Sequence, residues 1–86
     1  MRTVELLEQA LATAHALGYQ VRHEWLGGIG GGLCEYAGSR WIFVDMALSI
    51  DEQLEQVVAA LKHDPAIHLQ PVDRELGRLL DFPKAA

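Results

Sequence analysis

The chain has 86 residues, of which 50% are hydrophobic and 22% are charged, and its formal net charge at pH 7 is −5. This length and composition predict one small α+β domain over residues 1–86, because the chain is too short to build a second core. The acidic balance argues against binding to nucleic acid or to an anionic membrane surface, since both require clustered Lys and Arg.

A first amphipathic helix is predicted over residues 3–17, where apolar residues repeat three and four positions apart. Gly18 follows at the position where helices commonly end with a residue in the left-handed conformation. Residues 19–26 then alternate in polarity with a period of two. This alternation predicts a half-exposed strand near the edge of a sheet.

Five of the six residues from 27 to 32 are glycines. They precede a strand and are not followed by Lys or Ser/Thr, so the run does not match a phosphate-binding loop, which leads into a helix. We interpret the run as a flexible connection between the first two strands. A mobile flap over a binding groove is the alternative.

The apolar segments on either side of Gly38-Ser39 predict a β-hairpin with a two-residue turn of type II′. In that register Tyr36 lies opposite Trp41, and Cys34 lies opposite Phe43. These four side chains share one face of the hairpin. The other face is also largely apolar, so we expect helices or a second subunit to cover both faces.

A capping-box pattern at residues 49–52 predicts the start of a second helix with a buried apolar stripe. That helix is expected to end before Pro65. A last helix is predicted to begin at Pro71, and residues 82–86 are predicted to be a frayed tail. The predicted architecture is therefore a helix, a three-stranded antiparallel-type sheet with a tight hairpin, and two helices (α-β-β-β-α-α).

Two charged positions in the predicted strands require partners or water. Asp45 follows the last strand and is predicted to end it and to help the chain turn into the second helix. Glu35 and Arg40 lie diagonally across the hairpin and form its one predicted charged pair. An exposed pair of this kind contributes little stability.

The residues that could carry chemistry are few. His63 and His68 are separated by a proline and share no helical face, and His15 and His23 have no ligand at the spacing of a zinc site. Cys34, the only cysteine, is predicted to be a small buried hydrophobic residue and not a nucleophile. We therefore predict no catalytic residue, no metal ligand and no cofactor.

Residues 41–45, followed by Leu48-Ser49 and Glu52-Gln53, resemble the core of small zincin-type metallopeptidases, in particular those that cleave phage repressors. The resemblance covers roughly residues 3–63. In that family the last strand runs along the substrate cleft, and the next helix carries His-Glu-x-x-His, which supplies two zinc ligands and a general base. Here those positions are occupied by Ala59, Ala60, Leu61, Lys62 and His63. The resemblance thus implies a zincin-like core in a degenerate relative without zinc or catalysis.

The function expected from these patterns is that of a non-catalytic interaction module that forms a homodimer or binds another protein. Its expected interface residues are aromatic, namely Trp25, Tyr36, Trp41 and Phe43. The alternative is a small metal-dependent hydrolase or peptidase that uses His63 with His68, Asp64 or His23. A third hypothesis is a small-ligand pocket between the glycine run and the first helix.

A cytoplasmic location is also expected. The single cysteine cannot form an intrachain disulfide, which suits a reducing compartment. The first residues contain charged positions that interrupt any secretory hydrophobic region. In addition, the sequence has no apolar segment of the length needed to span a bilayer.

Overall fold

Residues 2–83, which the computed structural model describes, form three α-helices, a 3₁₀ helix and three β-strands. In chain order these are α1 (Arg2–Ala16), β1 (Gln20–Glu24), β2 (Gly32–Tyr36), β3 (Ser39–Asp45), α2 (Ile50–Lys62), the 3₁₀ helix (Pro65–Leu69) and α3 (Arg74–Leu79). This order confirms the predicted α+β fold and its α-β-β-β-α-α arrangement. The 3₁₀ helix is an addition to the prediction.

The strands form one mixed sheet in the order β1-β3-β2. β3 pairs with β2 in the antiparallel direction, as a hairpin requires, but it pairs with β1 in parallel. The prediction of an antiparallel-type sheet is therefore wrong for β1. Residues 25–31 lead from β1 to β2 at the other edge of the sheet. The hairpin then places β3 between these two strands.

The hairpin turn consists of Ala37 and Gly38, whose φ angles of 52° and 81° are both left-handed. Two such residues in succession form a type I′ turn, which matches the twist of the flanking strands. The predicted turn is one residue too late, because that prediction allowed a positive φ only at glycine. Tyr36 consequently pairs with Ser39 and not with Trp41. The partner moves by two residues, so the predicted division into two faces is unchanged.

Helices α1 and α2 pack against each other on one face of the sheet, the inner face. Ile42 and Val44 of β3 lie on this face and have no exposed surface. The smallest dimension of the Cα trace, 16 Å, corresponds to one sheet and one layer of helices. Within residues 2–83, therefore, no helix covers the opposite, outer face. Helices of this chain therefore cover only the inner face, and cover of the outer face by a second subunit stays a prediction.

Two local signals for helix boundaries are confirmed. The Ser49 hydroxyl accepts the Glu52 N–H, and the Glu52 carboxylate accepts the Ser49 N–H, which completes the predicted capping box. Gly18 follows α1 with a φ of 93°. These boundaries were predictable because each depends on residues within one turn of the helix end.

The last helix and the chain end differ from the prediction. Asp73 caps α3 by accepting the Leu76 N–H, so the helix begins three residues after Pro71. The Phe82 N–H donates to the carbonyl of Gly77 at 2.9 Å, and the Phe82 side chain packs against the core. The predicted fraying thus does not hold for Phe82. Residues 84–86 of the predicted tail lie outside the described residues.

Candidate functional site

The outer face of the sheet carries an apolar cluster that we call the aromatic surface, made of Cys34, Tyr36, Trp41 and Phe43. Cys34 and Trp41 are direct partners across β2 and β3, and the ring centroids of Trp41 and Phe43 are 6.2 Å apart. Trp41 and Phe43 are half-buried, whereas Tyr36 is 73% exposed. Three of the four predicted interface residues thus lie on one face.

Trp25, the fourth predicted interface residue, is 72% exposed but lies elsewhere. It follows Glu24, which pairs with Asp45 at the end of β3. Tyr36 pairs with Ser39 at the start of β3, on the opposite edge of the sheet. Trp25 and Tyr36 therefore occupy diagonally opposite corners of the sheet, and the structure separates them.

Cys34 is exposed, which contradicts the prediction of a buried small hydrophobic residue. That prediction assumed a covered face on both sides of the hairpin. The thiol instead lies on the uncovered outer face of an edge strand. It is consequently accessible to chemical probes.

A groove of about 280 Å³ lies between β2 and α2. Its lining residues come from the start of β2 and from one side of α2, namely Gly31, Gly32, Leu33, Gln56, Ala59, Ala60 and His63. Three of these residues, Ala59, Ala60 and His63, stand where the zincin resemblance places two zinc ligands and a general base. These three positions therefore lie beside the edge strand β2. Two of them carry only methyl groups, which provide no donor atom for a cation.

The ligands that the hydrolase hypothesis assigns to His63 are not assembled around it. His68 packs against Phe82, with ring centroids 5.0 Å apart, and His23 lies on β1 at the far edge of the sheet. Asp64 uses its carboxylate oxygens to accept hydrogen bonds from protein groups. In the part of the chain that the structure describes, no three His, Cys, Asp or Glu side chains are grouped so that they could hold a metal ion.

Asp45 has no exposed surface, and its carboxylate accepts four backbone N–H groups. Oδ1 accepts those of Leu26 and Ala47, and Oδ2 those of Gly28 and Gly30, at 2.9–3.0 Å. Burial opposes ionisation of this carboxyl group, but the four N–H donors together lower its pKa below the ordinary value of 3.8. The interpretation of the glycine run as a flexible connection does not hold, because the loop is folded around this carboxylate.

The glycine-rich loop borders α2. The side-chain oxygen of Gln56 accepts the Asp45 N–H at 3.1 Å, and a Cβ atom at Gly30 would lie 3.0 Å from Gln56 Nε2. Gly31 and Gly32 line the groove between β2 and α2. The loop therefore contributes to a groove at the second helix, whereas the ligand-pocket hypothesis placed one at the first.

A second buried carboxylate, that of Asp64, ties the sheet to the helical layer. Its Oδ2 accepts the Tyr19 hydroxyl at 3.0 Å and Arg40 Nη1 at 2.8 Å, and its Oδ1 accepts the Ala66 N–H at 2.9 Å. The Arg40 guanidinium also lies 4.2 Å from the centre of the Tyr19 ring. Arg40 is thus paired with Asp64 and not, as predicted, with Glu35.

Donors from the backbone and side chains shift the pKa of Asp64. The Ala66 N–H lowers it most, burial opposes this effect, and the Tyr19 hydroxyl and the Arg40 guanidinium lower it further. Sequence reasoning missed this site because the two charged residues are 24 positions apart. The sequence did contain one signal for this site. Asp64 directly precedes Pro65, and aspartate is a residue type that commonly caps the N-terminus of a helix.

Acid should destabilise this protein through its hydrogen-bonded carboxylates. The folded-state pKa values of Asp45, Asp64 and Asp73 lie below the ordinary 3.8, and that of Glu52 below 4.5. Groups with lowered pKa values contribute stability that is present above the unfolded-state pKa and is lost as pH falls through the folded-state pKa. We therefore expect a constant melting temperature from pH 7 to about 5 and a steep decrease below about pH 4.

Thermal melts from pH 7 to 2.5 measure this effect, and Asp64→Asn should flatten the acid limb because one of the titrating groups is removed. A melting temperature that does not change between pH 5 and pH 3 would contradict the assignment of these carboxylates.

The longest helix in residues 2–83 has 15 residues, and none of the helices there combines the length and apolar character of a membrane span. The sequence matches no protein-family model, and comparisons with curated proteins and with solved structures return no significant match.

Proposed function

We propose that this chain is a non-catalytic interaction module that associates with a second copy of itself at the corner of the sheet that carries Tyr36. The observation that carries the proposal is the uncovered aromatic surface. Tyr36, Trp41 and Phe43 lie together on a sheet face to which the described chain contributes no helical layer. Aromatic side chains with part of their surface exposed are enriched at the centres of protein interfaces.

The composition of the outer face favours one side of the sheet as the interface. On β1 this face carries Arg22 and Glu24, whose side chains form an exposed ion pair at 2.7 Å. On β2 and β3 it carries the apolar residues of the aromatic surface. Charged residues are depleted at interface cores, so association is expected at the β2 side and not at the β1 side.

We also propose that the chain is a degenerate relative of the zincin-type peptidases. The support for this proposal is that Ala59, Ala60 and His63, at the positions of the family motif, line a groove beside a strand. That strand is β2, whereas the family pattern places the last strand along the cleft, and here the last strand, β3, is in the middle of the sheet. One imidazole and two methyl groups cannot complete a zinc site. In this proposal the module keeps the cleft but performs no hydrolysis, and it acts in the cytoplasm, where Cys34 stays reduced.

The mass of the particle in solution tests self-association. Multi-angle light scattering at about 50 μM should give twice the monomer mass of 9.5 kDa, because specific protein pairs commonly bind at micromolar Kd or tighter. Tyr36→Ser should raise the dimer Kd by about tenfold or more, since it truncates an exposed aromatic anchor.

Trp25→Ser is the matched control, because Trp25 is an equally exposed aromatic residue at the opposite corner. It should change the dimer Kd by less than about threefold, within the range of a peripheral residue. A particle of monomer mass at this concentration would refute self-association. Weaker association of the Trp25 variant alone would refute the position of the interface.

A further inference from the structure

The free edge of β2 gives the proposed association a specific geometry. Among residues 2–83, β2 pairs with β3 on one side and with no strand on the other. We propose that the β2 edges of two copies pair in the antiparallel direction across a two-fold axis at Cys34. The two sheets then form one continuous six-stranded sheet with both helical layers on the same side. This inference rests on the proposed self-association and specifies how the two copies meet.

The hairpin register identifies which backbone groups face the free edge. The two-residue turn makes Tyr36 and Ser39 a hydrogen-bonded pair, and hydrogen-bonded and non-hydrogen-bonded pairs then alternate along an antiparallel ladder. The backbone N–H and C=O groups of Cys34 therefore form hydrogen bonds with β3. The N–H and C=O groups of Leu33 and Glu35 point away from β3, toward the free edge. These groups face the free edge and can bond to a neighbouring strand, although the Glu35 carbonyl oxygen also accepts the Cys34 thiol at 3.9 Å.

The two edges of the sheet differ in how they resist such pairing. The β1 edge carries Arg22 and Glu24, and charged side chains on an edge strand oppose the addition of another strand. The β2 edge has no Lys, Arg or Pro, and Glu35 is its one charged residue. Its inner side also has room, because the adjoining groove presents the small side chain of Ala59.

A two-fold axis at any residue of β2 preserves the hydrogen-bonding pattern, and among the three central positions one axis is favoured. A two-fold axis at Glu35 would place two carboxylates directly opposite each other, which is repulsive. An axis at Leu33 would place Glu35 and Tyr36 opposite the loop residues Gly31 and Gly30, outside β2. An axis at Cys34 pairs all five residues of Gly32–Tyr36. Leu33 of each copy then lies opposite Glu35 of the other, and the two pairs form four backbone hydrogen bonds.

The same register extends the aromatic surface across the axis. Tyr36 of one copy lies opposite Gly32 of the other, on the outer face. Gly32 has no side chain and is itself paired with Phe43. The Tyr36 ring can therefore lie over the glycine and point toward Phe43 of the other copy, which is two strands, or about 10 Å, away. This contact would cover one side of the Tyr36 ring, which belongs to the most exposed residue of the aromatic surface.

Disulfide crosslinking through Cys34 tests this arrangement directly. In a non-hydrogen-bonded pair the two Cα atoms are about 4.5 Å apart, which lies within the range of a disulfide. Diamide, which accepts the two electrons and two protons that the paired thiols release, should therefore crosslink the native dimer. The matched control is Cys34→Ser combined with Trp25→Cys, because Trp25 is equally exposed but lies at the opposite corner of the sheet, away from the proposed axis. The native chain should crosslink at least about tenfold faster than this control, owing to the high effective concentration of paired thiols.

A proline substitution on β2 tests the intermolecular backbone hydrogen bonds independently of the Cys34 thiol. Glu35→Pro removes an N–H that points to the free edge, so the hairpin should tolerate it. It removes two of the four intermolecular hydrogen bonds and should raise the dimer Kd by about tenfold or more. Glu35→Gln keeps the N–H and should leave the Kd within about threefold, since an exposed charge contributes little. Circular dichroism of each variant verifies that the hairpin is folded.

The outcomes separate the two proposals. Fast crosslinking through Cys34 together with loss of the dimer in folded Glu35→Pro supports edge pairing. A native dimer that neither crosslinks faster than its control nor responds to Glu35→Pro refutes edge pairing, while self-association through another surface stands. A monomer at about 50 μM refutes both, because micromolar association would be detected at that concentration.

Discussion

Replacing Asp45 with alanine is expected to lower the melting temperature by roughly 15 °C, the largest effect that we predict for any single side chain. The carboxylate is fully buried and accepts four backbone N–H groups. Its removal leaves these donors without a protein partner, and a buried donor without a partner is costly. The loop between β1 and β2 should loosen, which differential scanning calorimetry and hydrogen exchange of Gly28 and Gly30 would detect.

Two further variants separate the role of this carboxylate from a general effect of charge. Asp45→Asn keeps the shape but replaces one acceptor oxygen with an NH₂ group that faces N–H donors, so it should be nearly as damaging. Asp51→Ala removes an exposed carboxylate from the first turn of α2 and should shift the melting temperature by only a few degrees. A shift below about 4 °C for Asp45→Ala would show that water replaces the carboxylate at little cost.

Gly31→Ala is expected to destabilise the fold by about 2–3 kcal/mol through steric overlap. A Cβ atom at Gly31 would lie 1.8 Å from the carbonyl oxygen of Phe43. Phe43 is in the central strand and is paired on both sides, so its backbone cannot move away. The loop must shift instead, which strains its hydrogen bonds to Asp45. Denaturant unfolding measures the loss as a lower midpoint with little change in slope.

Gly77→Ala is the matched control for this substitution. Gly77 is in α3, and a Cβ atom there would lie at an ordinary contact distance of 3.7 Å from the nearest atoms, which belong to Phe82 and Val72. Alanine has the higher helix propensity, so this variant should be more stable by about 0.5–1 kcal/mol. Opposite signs for the two substitutions are the expected result, and equal destabilisation would contradict the steric explanation.

Local patterns were sufficient for part of the fold. The capping box at Ser49 and the positive φ of Gly18 were predictable because the interacting atoms lie within a few residues of one another. The face assignment of Tyr36, Trp41 and Phe43 was also correct. The assignment held despite the wrong hairpin register. Side chains alternate between the two faces with a period of two, and the predicted pairing partners were displaced by two residues.

The candidate site was less predictable. The sequence identified the aromatic residues but not the position of Trp25 relative to Tyr36, because that depends on the order of the strands. The exposure of Cys34 was missed for a related reason. Whether an apolar strand face is covered depends on how many helices the chain can place on it, and periodicity within the strand carries no such information.

The sequence alone therefore determined the order of the elements, the helix boundaries with local caps, and the division of β3 into two faces. Each of these follows from interactions between residues close in the chain. Only the tertiary structure decided that β3 lies between β1 and β2, that the helices of residues 2–83 leave the outer face uncovered, and that Asp45 and Arg40 have their partners in distant segments. These features arise from contacts between residues about 20 positions apart, as between Asp45 and Leu26 or Arg40 and Asp64. The physical reason is that a buried charge needs hydrogen-bond donors, and tertiary packing decides which distant segments of the chain supply them.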